Sequence, residues 1–193
     1  MRPKNLEKEQ SIRTAALRII SEEGLENLSM QKLAKEAGVS PRTIYIKYED
    51  KEDLLVKLFV EEVLAPYERA ILEGFSETMD FAPGVRHLWL NAFRYFRNNR
   101  PAHVLMRYGQ SSPLLNKTYQ QKDIKQGQFF QPVHGFLKTQ VAKGVIRDLP
   151  FEAQRALLFA PLLDLVHEYF EPQGAITEAI VLACCDTVIK GMI

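Results

Sequence analysis

The sequence has few cysteines, no long apolar run and no excess of charge of either sign. Its two cysteines, Cys184 and Cys185, are adjacent in an apolar stretch of helical pattern, where a disulfide would break the helix. We therefore expect free thiols in a reducing compartment. The longest apolar run, residues 156–163, has eight residues, whereas a membrane span needs roughly 18. No apolar stretch follows the charged N-terminus, so no signal peptide is predicted and a soluble, cytoplasmic protein is expected.

Motifs for common catalytic and metal chemistry are also missing. There is no Gly-rich phosphate loop, no His-Glu-x-x-His and no Cys-x-x-Cys. The four histidines are scattered, and neither cysteine has a nearby base that would make it a nucleophile. We therefore predict a protein that is not an enzyme, with no catalytic residue, no metal site and no cofactor.

The charge balance is close to neutral. The chain has 25 basic and 24 acidic residues, a net charge of +1, which argues against strong nonspecific binding to nucleic acid. The distribution is uneven, however. Between Gln31 and Tyr48 the basic residues are Lys32, Lys35, Arg42 and Lys47, and the only acidic residue is Glu36. A local positive face is therefore predicted in this segment.

Residues 29–51 carry the pattern of a helix-turn-helix. Ser29 can cap a short helix whose apolar residues recur at helical spacing. Gly38 supplies the left-handed conformation of a tight turn. Ser40 can cap a second helix with Pro41 in its first turn, where the missing N–H costs nothing. Ile44 and Tyr48 would form the inner face of that helix. This geometry sets a recognition helix into the major groove of DNA.

These residues resemble the DNA-binding domain of the TetR family of bacterial transcriptional regulators. The family pattern is met by Ile44, Tyr45, Tyr48, Lys51, Asp53 and Leu54. Tyr48 replaces the usual Phe, and Ile46 and Lys47 stand where an aromatic residue or His is more common. The resemblance implies a phosphate contact by Tyr45. From the helix positions, Arg42, Thr43 and Lys47 are expected to reach base edges. The complete set of predicted DNA-binding residues is Ser29, Gln31, Lys32, Ser40, Arg42, Thr43, Tyr45, Lys47, Tyr48 and Lys51.

The rest of the chain also has helical periodicity, so the predicted fold is all-α. We expect an N-terminal three-helix DNA-binding domain, residues 1–50, joined by a long helix to a helical regulatory domain, residues 51–193. Pro66 should kink the long helix. Residues 81–84, Phe-Ala-Pro-Gly, should break the chain, and a helix from Tyr119 or Asp123 to Lys143 should be kinked at Pro132. Two apolar helices, about 151–170 and 175–192, should end the chain.

These last two helices are apolar on more than one face. One face can pack inward while another meets its copy across a two-fold axis, as a four-helix bundle. The resemblance implies the same arrangement. We therefore predict a homodimer that binds a palindromic operator in double-stranded DNA. The predicted interface residues are Leu158, Leu162, Leu165, Ile180, Cys184 and Val188.

By resemblance, the middle helices should enclose a pocket for a small-molecule effector. Aromatic residues are concentrated between Phe75 and Phe136, which favours a hydrophobic or aromatic ligand. The expected function is a repressor that the ligand releases from DNA. The predicted ligand-binding residues are Trp89, Phe93, Phe96, His103, Met106, Tyr108, Phe130, His134 and Phe159. The alternatives are a regulator with a solid core and no inducer, or a helical adaptor that binds a protein partner through its C-terminal helices.

Overall fold

The computed structural model describes the backbone of residues 3–111 and 129–193 and the side chains of residues 6–109 and 129–193. Within these ranges the secondary structure consists of helices and turns, as the sequence predicts. The α-helices are α1 (Pro3–Glu23), α2 (Met30–Glu36), α3 (Pro41–Tyr45), α4 (Lys51–Leu58), α5 (Ala65–Leu72), α6 (Phe81–Asn98), α7 (Arg100–Ser111), α8 (Gln131–Ala142), α9 (Phe151–Phe170) and α10 (Glu178–Met192).

Two compact units make up the chain. The first consists of Met1–Val63 and Arg100–Asp123, and the second of Leu64–Asn99 and Ile124–Ile193. In the first unit α1 packs against α2 and α7. Its buried face repeats at helical spacing and consists of Ile12, Ala15, Ala16, Ile19 and Ile20. The predicted functional boundary after residue 50 stays a prediction, because these units describe packing alone.

Helix α6 is the centre of the second unit, where it packs against α5, α9 and α10. Its side chains Trp89, Phe93 and Phe96 are completely buried. Aromatic rings fill the space around them. The ring centroid of Tyr67 lies 4.7 Å from that of Phe96, and the centroid of Tyr169 lies 5.5 Å from that of Phe93.

The prediction of a chain break at residues 81–84 is wrong, because these residues form the first turn of α6. Pro83 is tolerated there, since the N–H groups of a first turn have no partner within the helix. The N–H of Gly84 already donates to the carbonyl of Asp80 at 2.9 Å. A side chain on Gly84 would meet Phe136, with 2.7 Å between the added Cβ and Cζ. The absence of a side chain at Gly84 therefore permits the close approach of α6 and α8.

The long helix predicted through Pro66 is interrupted before the proline. Phe59–Leu64 adopts a π-helical turn between α4 and α5. Pro66 then lies in the first turn of α5. A proline cannot donate to the carbonyl four residues earlier, and a π turn changes the local hydrogen-bond register.

Pro132 also lies in a first turn, that of α8, rather than inside a longer helix. The part of the predicted helix before residue 129 lies outside the described residues. Across the described ranges, every helix is too short or too polar to span a bilayer.

Candidate nucleic-acid interface

Helices α2 and α3 are held by the caps that the sequence predicts. The side chain of Ser29 accepts a hydrogen bond from the backbone N–H of Lys32 at 3.2 Å. Gly38 has a φ of 65° in the turn between the helices. The side chain of Ser40 accepts from the N–H of Thr43 at 3.3 Å, and Pro41 begins α3. Two short capped helices around a glycine turn form a helix-turn-helix.

Ile44 of α3 and Tyr48, three residues after the end of this helix, are both buried as predicted. The opposite side presents Arg42, Tyr45 and Ile46 to solvent. Tyr45 is 53% exposed and Ile46 is 76% exposed. A guanidinium, a phenol and an aliphatic side chain therefore share one accessible surface. Together they could contact guanine, a phosphate and a thymine methyl group.

Among the other predicted residues, Gln31 and Ser40 are also exposed. The hydroxyl groups of Ser40 and Thr43 share a hydrogen bond of 2.9 Å. Lys32 forms an ion pair with Glu23 at the end of α1. Both hydroxyls and this ammonium therefore have partners within the domain already.

Three of the predicted DNA contacts are held inside the first unit. Lys47 forms an ion pair with Glu9 of α1. The Lys51 ammonium donates to the carbonyl of Leu25 at 3.0 Å, so it stabilises the loop after α1. Tyr48 is buried, and burial raises the pKa of its hydroxyl. In this geometry its side chain supports α3 and does not face a ligand.

Sequence reasoning missed two features of this region. The exposure of Ile46 can be predicted from the sequence, because this residue falls between the inward-facing Ile44 and Tyr48 and must face the other way. The ion pairs of Arg13 cannot be predicted in this way. Its guanidinium binds Glu9 at 2.8 Å, Glu62 at 2.8 Å, and Glu61. Most of these partners are far away in sequence, so only the folded chain brings them together.

The predicted ligand-binding residues are divided between the two units. His103 and Met106, on α7 of the first unit, are buried, and Tyr108 is half-buried. The remaining residues belong to the second unit, where Phe130, His134 and Phe159 are half-buried and Trp89, Phe93 and Phe96 are fully buried.

A surface groove of about 610 Å³ lies between α8 and the start of α9. Its walls include His134, whose ring stacks on Phe151 with the centroids 3.6 Å apart. Burial lowers the pKa of His134, so its neutral form is favoured.

Two of the predicted dimer contacts, Leu158 and Leu162, are buried in the core of their own protomer. Leu165, Cys184 and Val188 are half-buried, and Ile180 is 39% exposed. Leu157, which the prediction did not include, is 47% exposed. The accessible apolar surface of α9 is therefore centred on Leu157 rather than on Leu158.

The fold and the capped motif define a helical protein with an N-terminal helix-turn-helix domain. Residues 12–58 match the profile of the bacterial regulatory proteins of the tetR family. In this N-terminal segment the chain is therefore similar to the DNA-binding domain of the TetR family.

Comparison with individual proteins agrees with this assignment. An HTH-type transcriptional regulator of Haemophilus influenzae is 34% identical over 99 residues, which cover 51% of this chain and 52% of that protein. The matched segment thus spans about half the length of this relative.

Solved structures resemble the whole chain in fold. A TetR-family transcription regulator from Marinobacter aquaeolei superposes with a TM-score of 0.77 at 24% identity, covering 100% of this chain and 98% of that one. The regulator FadR from Bacillus subtilis, solved in complex with stearoyl-CoA, has a TM-score of 0.70 at 21% identity, covering 94% and 96%.

Proposed function

We propose that this protein is a cytoplasmic transcriptional regulator that binds a palindromic operator as a homodimer and acts as a repressor until a small hydrophobic ligand releases it. The observation that carries the proposal is the exposed face of α3. Arg42 and Tyr45 of α3 and Ile46 directly after it are accessible, and the start of this helix is capped by Ser40. The relatives with matching sequence are transcriptional regulators, so a role other than catalysis is proposed as well.

The homodimer is supported by the outer surface of α9 and α10. One helix-turn-helix reads only a few base pairs, so a second copy is needed for a specific site. Leu157 and Ile180 are large apolar side chains that remain exposed on the last two helices. Half-buried Cys184 and Val188 lie on α10 at helical spacing from Ile180. Covering this apolar surface favours association of two copies.

The hydrophobic ligand is supported by the composition of the second unit and by FadR, whose structure contains stearoyl-CoA. Trp89 is completely buried, and its indole N–H has no hydrogen-bond acceptor among the described residues. A buried donor without an acceptor is costly. A ligand with an acceptor atom would relieve that cost if it reached Trp89. Because the aromatic rings around α6 are closely packed, a ligand can enter only if these side chains move. The bound ligand would release DNA by favouring one of two dimer geometries.

The experiment that tests the proposal is a binding selection with the purified protein and a random duplex library at near-physiological salt. We expect a palindromic sequence to be enriched. The double variant Arg42→Ala, Lys47→Ala should lose this binding and remain folded. Arg69→Ala, Lys190→Ala serves as the matched control, since it removes two cations from α5 and α10.

Either of two results would contradict the proposal. One is failure of the folded, dimeric protein to enrich any sequence, after extraction of bound ligand under mild denaturation and refolding. The other is equal loss of binding in the control variant. With the enriched operator available, acyl-CoA thioesters and free fatty acids can be screened for release of the protein from DNA.

A further inference from the structure

The ammonium of Lys47 is held by a carboxylate of α1. Its Nζ donates to Glu9, which lies 38 positions earlier in the chain. The side chains of Lys47 and Glu9 are 21% and 29% exposed, so the pair is accessible from solvent. The backbone carbonyl of Lys47 accepts from Nζ of Lys57 at 2.8 Å. The backbone at Lys47 is therefore fixed from α4, while its flexible side chain can change partners.

Glu9 also pairs with a second cation, Arg13, which other carboxylates share. Arg13 donates to Glu9 through Nη2 and to Glu62 through Nη1, each at 2.8 Å, and its Nη2 also pairs with Glu61. One guanidinium thus serves three carboxylates. The hydrogen bond from Lys47 is the main reason that the pKa of Glu9 is lowered. Glu9 is therefore an effective acceptor for the ammonium next to the recognition helix.

We propose that Glu9 is an affinity-determining residue that competes with DNA for Lys47. In the DNA-free protein Glu9 holds the ammonium, and an acceptor on DNA must displace it before Lys47 can contribute to binding. The exchange is feasible because partly exposed ion pairs are weak. This inference rests on the proposed function, since it concerns the affinity of the same α3 surface for DNA.

The test is a double-mutant cycle on the operator recovered by selection. Glu9→Gln keeps the size of the side chain and removes its charge. We expect this variant to bind the operator about two- to fivefold more tightly, the range that corresponds to loss of one partly exposed ion pair. In a Lys47→Gln background the same substitution should leave the affinity unchanged. The matched control is Glu7→Gln, which removes an exposed carboxylate two residues earlier on α1.

The outcomes separate the competing interpretations. Weaker binding by Glu9→Gln would mean that Glu9 positions Lys47 for DNA, and no change would mean that the pair has no effect; both overturn the inference. Equal tightening by Glu7→Gln, or tightening that persists without Lys47, would reveal a general charge effect and overturn it too. If the unsubstituted protein selects no sequence at all, the proposed function fails, and this inference fails with it.

Discussion

At the scale of single residues, Trp89 gives the most direct test of the fold. It is the only tryptophan in the chain and is completely buried in the second unit. Its indole should therefore emit at short wavelength, and acrylamide should quench it poorly in the native protein and well in the unfolded protein. Fluorescence titration measures this. Native emission at the wavelength of exposed indole would contradict the packing around α6.

Gly84 offers a second prediction at this scale. A methyl group there would lie 2.7 Å from Cζ of Phe136, whose side chain is completely buried. Gly84→Ala should therefore lower the free energy of unfolding by about 1–3 kcal/mol, the usual cost of overpacking a core.

Gly191 is the matched control for this substitution. It also lies in a helix, α10, but nothing is within 4 Å of an added Cβ. Gly191→Ala should leave the stability unchanged or raise it by up to about 1 kcal/mol, since alanine favours helix. Urea denaturation followed by circular dichroism measures both variants. Equal effects at the two positions would contradict the close approach of α6 and α8.

At the scale of elements, the caps decide whether short helices form. Helix α3 has only five residues, too few to be stable alone. Its start depends on the hydrogen bond between Ser40 and Thr43. Ser40→Ala should reduce the free energy of unfolding by about 1 kcal/mol. Ser40→Asp, which can also cap, should restore the stability in the same urea titration. An alanine variant of full stability would show that tertiary contacts alone hold α3.

The contact between α6 and α10 predicts a pH dependence. Arg94 donates to Glu178 through Nε at 2.9 Å and through Nη2 at 2.6 Å, and these bonds lower the pKa of Glu178. A carboxyl whose pKa is lower in the folded state stabilises the protein above its ordinary pKa. That contribution is lost as the pH falls through the lowered value.

The substitution Glu178→Gln measures this contribution. The variant should be less stable than the unsubstituted protein at neutral pH, by at most about 1 kcal/mol because the pair is partly exposed. The two proteins should become equally stable at acid pH. Unfolding by urea at a series of pH values gives the difference. A difference that stays constant down to acid pH would mean that the variant acts through packing rather than charge.

At the scale of the whole molecule, the outer surface of α9 and α10 should determine the oligomeric state. Leu157 and Ile180 are exposed, and we expect both to be covered in a dimer. Leu157→Glu combined with Ile180→Glu should give monomers in sedimentation velocity, because each charge would be buried without a partner. The control is Leu6→Glu, which places the same charge at an exposed leucine of α1. A dimer that persists in the double variant would exclude this surface as the interface.

The sequence by itself determined the local structure. Ser29, Gly38, Ser40 and Pro41 predict the helix-turn-helix, because caps and turns depend on residues within four positions of each other. The burial of Ile44 and Tyr48 also follows from the sequence, since the two residues are four positions apart, although α3 itself ends at Tyr45. The same local reasoning failed at residues 81–84, where proline and glycine indicated a break and instead begin α6.

Only the tertiary structure decided which of the candidate residues remain free to bind. Lys47 is paired with Glu9 across 38 positions, and Arg13 is joined to Glu62 across 49 positions. Leu158 is buried while its neighbour Leu157 is exposed. Such contacts depend on how helices pack, and neither helical periodicity nor residue type specifies which distant side chain will meet another. For this reason the sequence predicts the recognition helix, whereas the partners of its charged residues emerge only from the folded chain.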